Sequence, residues 1–147
     1  MATSHEFTAR LDWQQGGEGV AWGNHVVQLD GRPSFEVSAA PAYRGDPSRL
    51  NPEELFLVAI ASCQMLTFLS LASRKGVSVR TYHDEATATL ALVDGRMRIR
   101  SVTLRPHIAI EPAMSNEEAQ RLVESAHRGC FIANSVSCEV LIEPTIS

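Results

Sequence analysis

The sequence predicts an α+β fold, and three observations carry the prediction. Short β-type stretches separated by turn residues fill the first 40 positions. One long helix opens at a strong start signal, Asn51-Pro52-Glu53-Glu54. Strand patterning then returns after Gly76, ahead of a second helix and a last strand. Elements grouped by type in this way favour α+β over a parallel α/β sheet.

The N-terminal stretches are Phe7 to Trp13, Val20 to Trp22, Val26 to Leu29 and Phe35 to Ser38, broken by Gly16-Gly17 and Asp30-Gly31. They predict an antiparallel meander. Pro41 to Leu50 holds two prolines and a glycine and reads as a loop. Asn51 suits the N-cap, Pro52 the first helical position, and Glu54 can reach back as in a capping box. Gly76 suits the stop. Beyond it lie predicted strands over Val77 to Tyr82 and Ala86 to Val93, an Asp94-Gly95 hairpin turn, and one long run from Met97 to Ile110. Ser115 and Glu118 form a second capping box for a helix from Asn116 to about Arg128. Val136 to Ile142 is the final predicted strand, and the whole of 1–147 reads as a single domain.

Between Asn51 and Gly76 almost no polar face is left, and a helix apolar all round is a buried helix. A membrane span is the rival explanation. Ser62, Gln64, Thr67 and Ser70 interrupt a stretch that barely reaches the roughly 20 apolar residues a span needs, so no membrane association is expected. A chain of 147 residues has few elements with which to cover such a helix on every side, and a homodimer would supply the missing cover.

Composition narrows the function. Hydrophobic residues at 44% and charged residues at 20% are an ordinary globular balance, and a net charge of -4 without a basic run argues against a nucleic-acid partner. The N-terminus lacks the basic and apolar regions of a secretory signal, which points to the cytoplasm. Thiols are normally reduced there, so three cysteines suggest catalysis, sensing or burial rather than a disulfide framework.

Cys63 and Cys130 lie 67 positions apart in unlike settings, which suggests thiol chemistry between two sites joined by the fold. Cys63 sits on the apolar helix, where a cysteine is usually an inert core residue. It is twelve residues beyond the cap, too far for the helix dipole to act, so ionisation would require a cationic or hydrogen-bonding neighbour from elsewhere. Cys130 follows His127, Arg128 and Gly129, so positive charge is expected near its sulfur, against the plain alternative of a thiol packed after a turn. Cys138 alternates with Val140 and Ile142 and reads as a strand core residue. Glu53 and Glu54 complement the helix dipole, and only Glu54 is committed to the cap. No C-x-x-C or H-x-x-x-H spacing suggests a metal, and no G-x-S-x-G elbow suggests a serine hydrolase.

Asn51-Pro52-Glu53-Glu54-Leu55-Phe56 with Ala59-Ile60-Ala61-Ser62-Cys63 resembles the first-cysteine motif of the osmotically inducible protein C and organic hydroperoxide resistance (OsmC/Ohr) family. Gly129-Cys130-Phe131-Ile132-Ala133-Asn134-Ser135 resembles its second, with Phe131 where a Cys-Pro pair is common. Both motifs stand in the family's order, and the likeness covers nearly the whole chain. It implies an OsmC-like fold: antiparallel sheets around a central buried helix in an intertwined homodimer. It also implies an oxidative-stress enzyme in which the Cys63 thiolate attacks an organic hydroperoxide and becomes a sulfenic acid, resolved by Cys130 as a disulfide. No bound cofactor is implied; a dithiol, typically a lipoyl group or lipoylated protein, would reduce the disulfide. Glu53 would orient an arginine that stabilises the thiolate. The N-terminal hairpin position used in the hydroperoxide-resistance branch holds no arginine here, so the resemblance favours the OsmC-like branch and Arg44 over Arg49. Ten residues of helix span about 15 Å, so contact between Glu53 and Cys63 would need a neighbouring subunit or an irregular helix start.

Two other functions fit the same pattern. One is a binding protein that holds a lipid-like ligand and uses its thiols as sensors; the other is a dimer with inert cysteines. Leu66 and Phe68 as apolar lining would favour bulky organic peroxides over hydrogen peroxide.

Overall fold

The computed structural model describes residues 3–147, which fall into two compact units, one ending at Leu55 and the other Phe56–Ser147. The first unit is a three-stranded antiparallel meander of β1 (Ala9–Asp12), β2 (His25–Leu29) and β3 (Phe35–Val37). Its register pairs Arg10 with Gln28 and Val26 with Glu36. The expected strand at Val20 to Trp22 is absent. Its backbone instead closes turns, Val20 N–H donating to the Gly17 carbonyl at 3.2 Å and Asn24 N–H to Ala21 at 3.1 Å. Gly19, at φ +83°, takes a conformation that a strand cannot contain. Indole N–H groups hold this loop: Trp13 Nε1 donates to the Trp22 carbonyl at 2.8 Å and Trp22 Nε1 to that of Tyr43 at 3.0 Å.

The Pro41–Leu50 segment is loop-like as expected, apart from one 3-10 turn over Pro41–Tyr43 and a bridge between Val37 and Leu50. The long helix, α1 (Pro52–Arg74), then begins at the predicted capping box. Glu54 N–H donates to Asn51 Oδ1 at 3.0 Å, and Asn51 N–H donates to Glu54 Oε2 at 3.1 Å. It ends where Gly76 turns left-handed at φ +69°. Gly76 N–H reaches the Ser73 carbonyl at 3.1 Å and Val77 N–H that of Ala72 at 2.9 Å, the paired bonds of a Schellman stop.

The second unit carries β4 (Val79–Asp84), β5 (Thr87–Val93), β6 (Arg96–Leu104), β7 (Pro106–Ile110), the second helix α2 (Asn116–Gly129), β8 (Glu139–Ile142) and β9 (Thr145–Ile146). The Asp94-Gly95 turn forms with both residues at positive φ, 50° and 76°, as a tight hairpin requires. The single strand expected from Met97 to Ile110 is two strands broken at Arg105. Pro106 has no N–H for a continuous ladder, and Arg105 N–H leaves to bond Asp84 Oδ1 at 2.7 Å. The sheets are β5-β6-β8 and β4-β7-β9. They are mixed rather than purely antiparallel, because β8 and β9 return after α2 and pair parallel with β6 and β7.

One stripe of α1 faces this core. Ile60 packs with Val102 and Leu104. Phe68 and Ala72 pack with Ile108, Ile110, Leu122, Val123 and Ala126. With Gln64, these residues recur every fourth position and are the buried residues of the helix. The expectation of a helix buried all round is therefore not met by one chain: Val58 and Leu66 remain 60% and 58% exposed. Phe68, wholly buried in the core, is no part of a substrate-facing wall.

Candidate active site

Cys63 projects from the middle of α1, half-buried, while Cys130 is fully buried at the cap following α2. The capping box that starts α2 is present, with Glu118 N–H donating to Ser115 Oγ at 3.2 Å. The helix ends at Gly129, and the chain leaves it through Cys130 in an extended conformation. A short 3-10 turn over Ala133–Ser135 follows at once. That turn is tied down: Asn134 N–H donates to the Cys130 carbonyl at 3.0 Å, Asn134 Nδ2 to that of Arg128 at 3.1 Å, and Ser135 Oγ to that of Phe131 at 2.7 Å. At its first residue the backbone points back toward the sulfur, Ala133 N–H reaching Cys130 Sγ at 3.4 Å.

The two thiols are free and lie within hydrogen-bond reach of each other. Their surroundings push them apart in acidity. Burial opposes ionisation of Cys63, but N–H of Ile132, the Cys130 thiol, the Thr67 hydroxyl and N–H of Phe131 outweigh it and hold its pKa below the ordinary thiol value. Cys130 moves the opposite way, pushed up to about 11 chiefly by burial and further by its neighbour Cys63, against the N–H of Ala133. The pair thus favours a Cys63 thiolate accepting a hydrogen bond from a Cys130 thiol. The positive charge expected at Cys130 does not lower its pKa. Arg128 is exposed and donates to Ser125 Oγ at 3.1 Å, leaving burial to dominate.

The fold therefore brings Cys63 and Cys130 together. Glu53 lies ten positions before Cys63 on an uninterrupted helix, an axial separation of about 15 Å, so an irregular start does not shorten the distance. Its Oε2 is buried without a hydrogen-bond partner. Arg44 is exposed, ends the Pro41–Tyr43 turn at φ 62°, and makes no ion pair among the described residues. Arg49 is committed elsewhere, to Glu36 at 3.1 Å and Asp46 at 3.6 Å. Cys138 packs against the Ile60, Val102 and Leu104 cluster, but it is half-buried and lies just ahead of β8, which starts at Glu139 and not at the expected Val136, so it is no strand core residue. Among the described residues no group of histidine, cysteine, aspartate and glutamate side chains is placed to hold a metal. Sequence reasoning missed Thr67 and the N–H groups of the Cys130 turn. The spacing of Cys63 and Thr67, four apart on one helix face, was the available signal.

An α+β chain that sets a half-buried thiol of lowered pKa against a fully buried one of raised pKa defines a dithiol protein. The chain belongs to the OsmC-like protein family, whose model matches residues 45–145. It is 30% identical over 123 residues to an organic hydroperoxide resistance protein-like protein of Staphylococcus aureus strain USA300, covering 82% of this chain and 85% of that protein. An OsmC-like protein of unknown function from Vibrio cholerae shares 29% identity at a TM-score of 0.88, over 96% of this chain and 99% of its own. An organic hydroperoxide resistance protein from Elizabethkingia anophelis, at 23% identity and a TM-score of 0.74 over 100% and 99% of the chains, shares the fold.

Proposed function

We propose that the protein is a cytoplasmic thiol peroxidase for organic hydroperoxides. The observation that carries this reading is a free, half-buried thiol on α1 beside a free, fully buried one after α2, with hydrogen bonds lowering the pKa of the first and burial raising that of the second, which suits a nucleophile and a resolving partner. The Cys63 thiolate attacks the O–O bond of ROOH; sulfur gains OH and becomes sulfenic acid, the O–O bond breaks, and the departing alkoxide takes a proton from solvent to give ROH. Cys130 then attacks the Cys63 sulfur, losing its proton as water leaves, and a Cys63–Cys130 disulfide forms. A dithiol, such as a lipoyl group or lipoylated protein, reduces it by exchange and leaves as the oxidised ring. The name of the Staphylococcus aureus relative supports the choice of substrate class.

Two further parts belong to this reading. A second copy of the chain covers the α1 face bearing Val58 and Leu66, because exposed apolar residues on a long helix cost solvation that a dimer recovers. In that dimer Glu53 orients Arg44 of one copy toward the Cys63 thiolate of the other; among the described residues Glu53 Oε2 is buried without a partner, which supports a donor there.

The test is consumption of cumene hydroperoxide by the purified protein with dihydrolipoamide, beside Cys63→Ser and Cys130→Ser. Turnover lost in the first variant and impaired in the second supports the proposal. An inactive parent protein under several dithiols overturns it.

A further inference from the structure

Thr67 lies one turn beyond Cys63 on the same face of α1, and two observations fix its rotamer. Its Oγ1 donates to the Cys63 carbonyl at 2.8 Å. Its methyl faces Gly129, where a Cβ would stand 3.4 Å from Thr67 Cγ2. The methyl is therefore turned to the segment carrying Cys130, and the hydroxyl to the residue carrying the reactive sulfur. Threonine in a helix ordinarily spends its proton on the carbonyl four residues back, a bond that contributes little to helix stability. The same hydroxyl is among the hydrogen-bonding groups that hold the Cys63 thiol below its ordinary pKa. Rotation about Cβ–Oγ1 alone moves the proton from carbonyl to sulfur. The carbonyl gives up little, since a helical C=O also accepts the backbone bond of the next turn.

We propose that Thr67 is a positioning residue for the Cys63 sulfur. Its hydroxyl proton turns from the Cys63 carbonyl to Sγ when the thiol ionises, so that α1 itself supplies a donor to the thiolate it carries. The other donors to this sulfur, N–H of Ile132, N–H of Phe131 and the Cys130 thiol, arrive from the turn after α2 and are likewise uncharged. That turn has to give up the Cys130 donor when Cys130 attacks, whereas Thr67 stays with the sulfur throughout because both sit on one rigid helix. Hydrogen bonds to an ionised sulfur are stronger than those to a neutral one, so the hydroxyl favours thiolate over thiol. The part Thr67 plays in turnover rests on the peroxidase reading; its effect on the sulfur does not.

The experiment is the pH dependence of iodoacetamide alkylation at Cys63, located by peptide mass spectrometry, in the parent, Thr67→Val and Thr67→Ser proteins. Valine keeps the shape and removes the donor; serine keeps the donor. The expected result is a higher pH midpoint in Thr67→Val, with alkylation below the parent midpoint slowed about tenfold, and a near-parental profile in Thr67→Ser. An unchanged midpoint in Thr67→Val overturns the proposal, as does a Thr67→Ser profile that matches valine. Circular dichroism checks that each variant is folded, and Thr67→Ala against Thr67→Ser decides the same question if valine is not accommodated. No peroxide is used. A protein without peroxidase turnover can therefore still show the shift, and an active one can lack it.

Discussion

Cys63 and Cys130 occupy adjacent space on segments of opposite construction. Cys63 stands mid-helix, where the backbone N–H groups around it are committed to helical bonds and none is left for the sulfur. Cys130 stands at a helix exit, where the backbone changes course and its N–H groups are free to turn inward. The regular segment gives its sulfur a fixed position and partial exposure. The irregular one supplies most of the donors, and burial of its own sulfur pushes the Cys130 pKa up. Most groups that favour ionisation of Cys63 therefore come from the other segment, with Thr67 the one drawn from its own helix.

The largest effect is expected from Cys63→Ser, which should abolish peroxide consumption, because an alcohol at that position has no accessible anion near neutral pH. Cys130→Ser should leave the first oxidation intact and stop disulfide formation, and dimedone should then trap a sulfenic acid on Cys63. The acidities should separate in an alkylation profile. The rate at Cys63 falls as pH drops through a midpoint below 9.0, its lowered pKa. That of Cys130 rises only as pH approaches about 11. Arg44→Ala should raise the Cys63 midpoint and cut turnover about tenfold if the arginine serves the thiolate, one tenfold step being about 1.4 kcal/mol; an unchanged midpoint removes Arg44 from the account. The smallest effect is expected from Phe131→Pro, which deletes one of the N–H donors to Cys63 and should slow its alkylation about threefold. Cys130 at ψ 112° already has the extended conformation that a following proline requires.

What the sequence revealed follows the range of the forces concerned. Both capping boxes, the Gly76 stop and the Asp94-Gly95 turn depend on bonds between near neighbours, and each stands where the residues placed it. Val20 to Trp22 failed as a strand because Gly19 and two indole bonds to distant carbonyls override its β-type residues. The break at Arg105 and the parallel return of β8 and β9 depend on partners far along the chain. The short β9 was missed for that reason. At the site, motifs identified the two thiols, but N–H direction after Gly129 is a property of backbone conformation and left no mark in residue type. Phe68 was misread as lining because an apolar helix does not announce which face meets the core.

In the proposed mechanism Cys63 and Cys130 form one redox pair within a chain. Its most direct test is peptide mass spectrometry of the fully reduced protein after one equivalent of cumene hydroperoxide, with thiols blocked on quenching. A single intramolecular Cys63–Cys130 disulfide with Cys138 still a thiol is the predicted result. Unoxidised Cys63, or a disulfide that instead joins Cys138 or two chains, would contradict it.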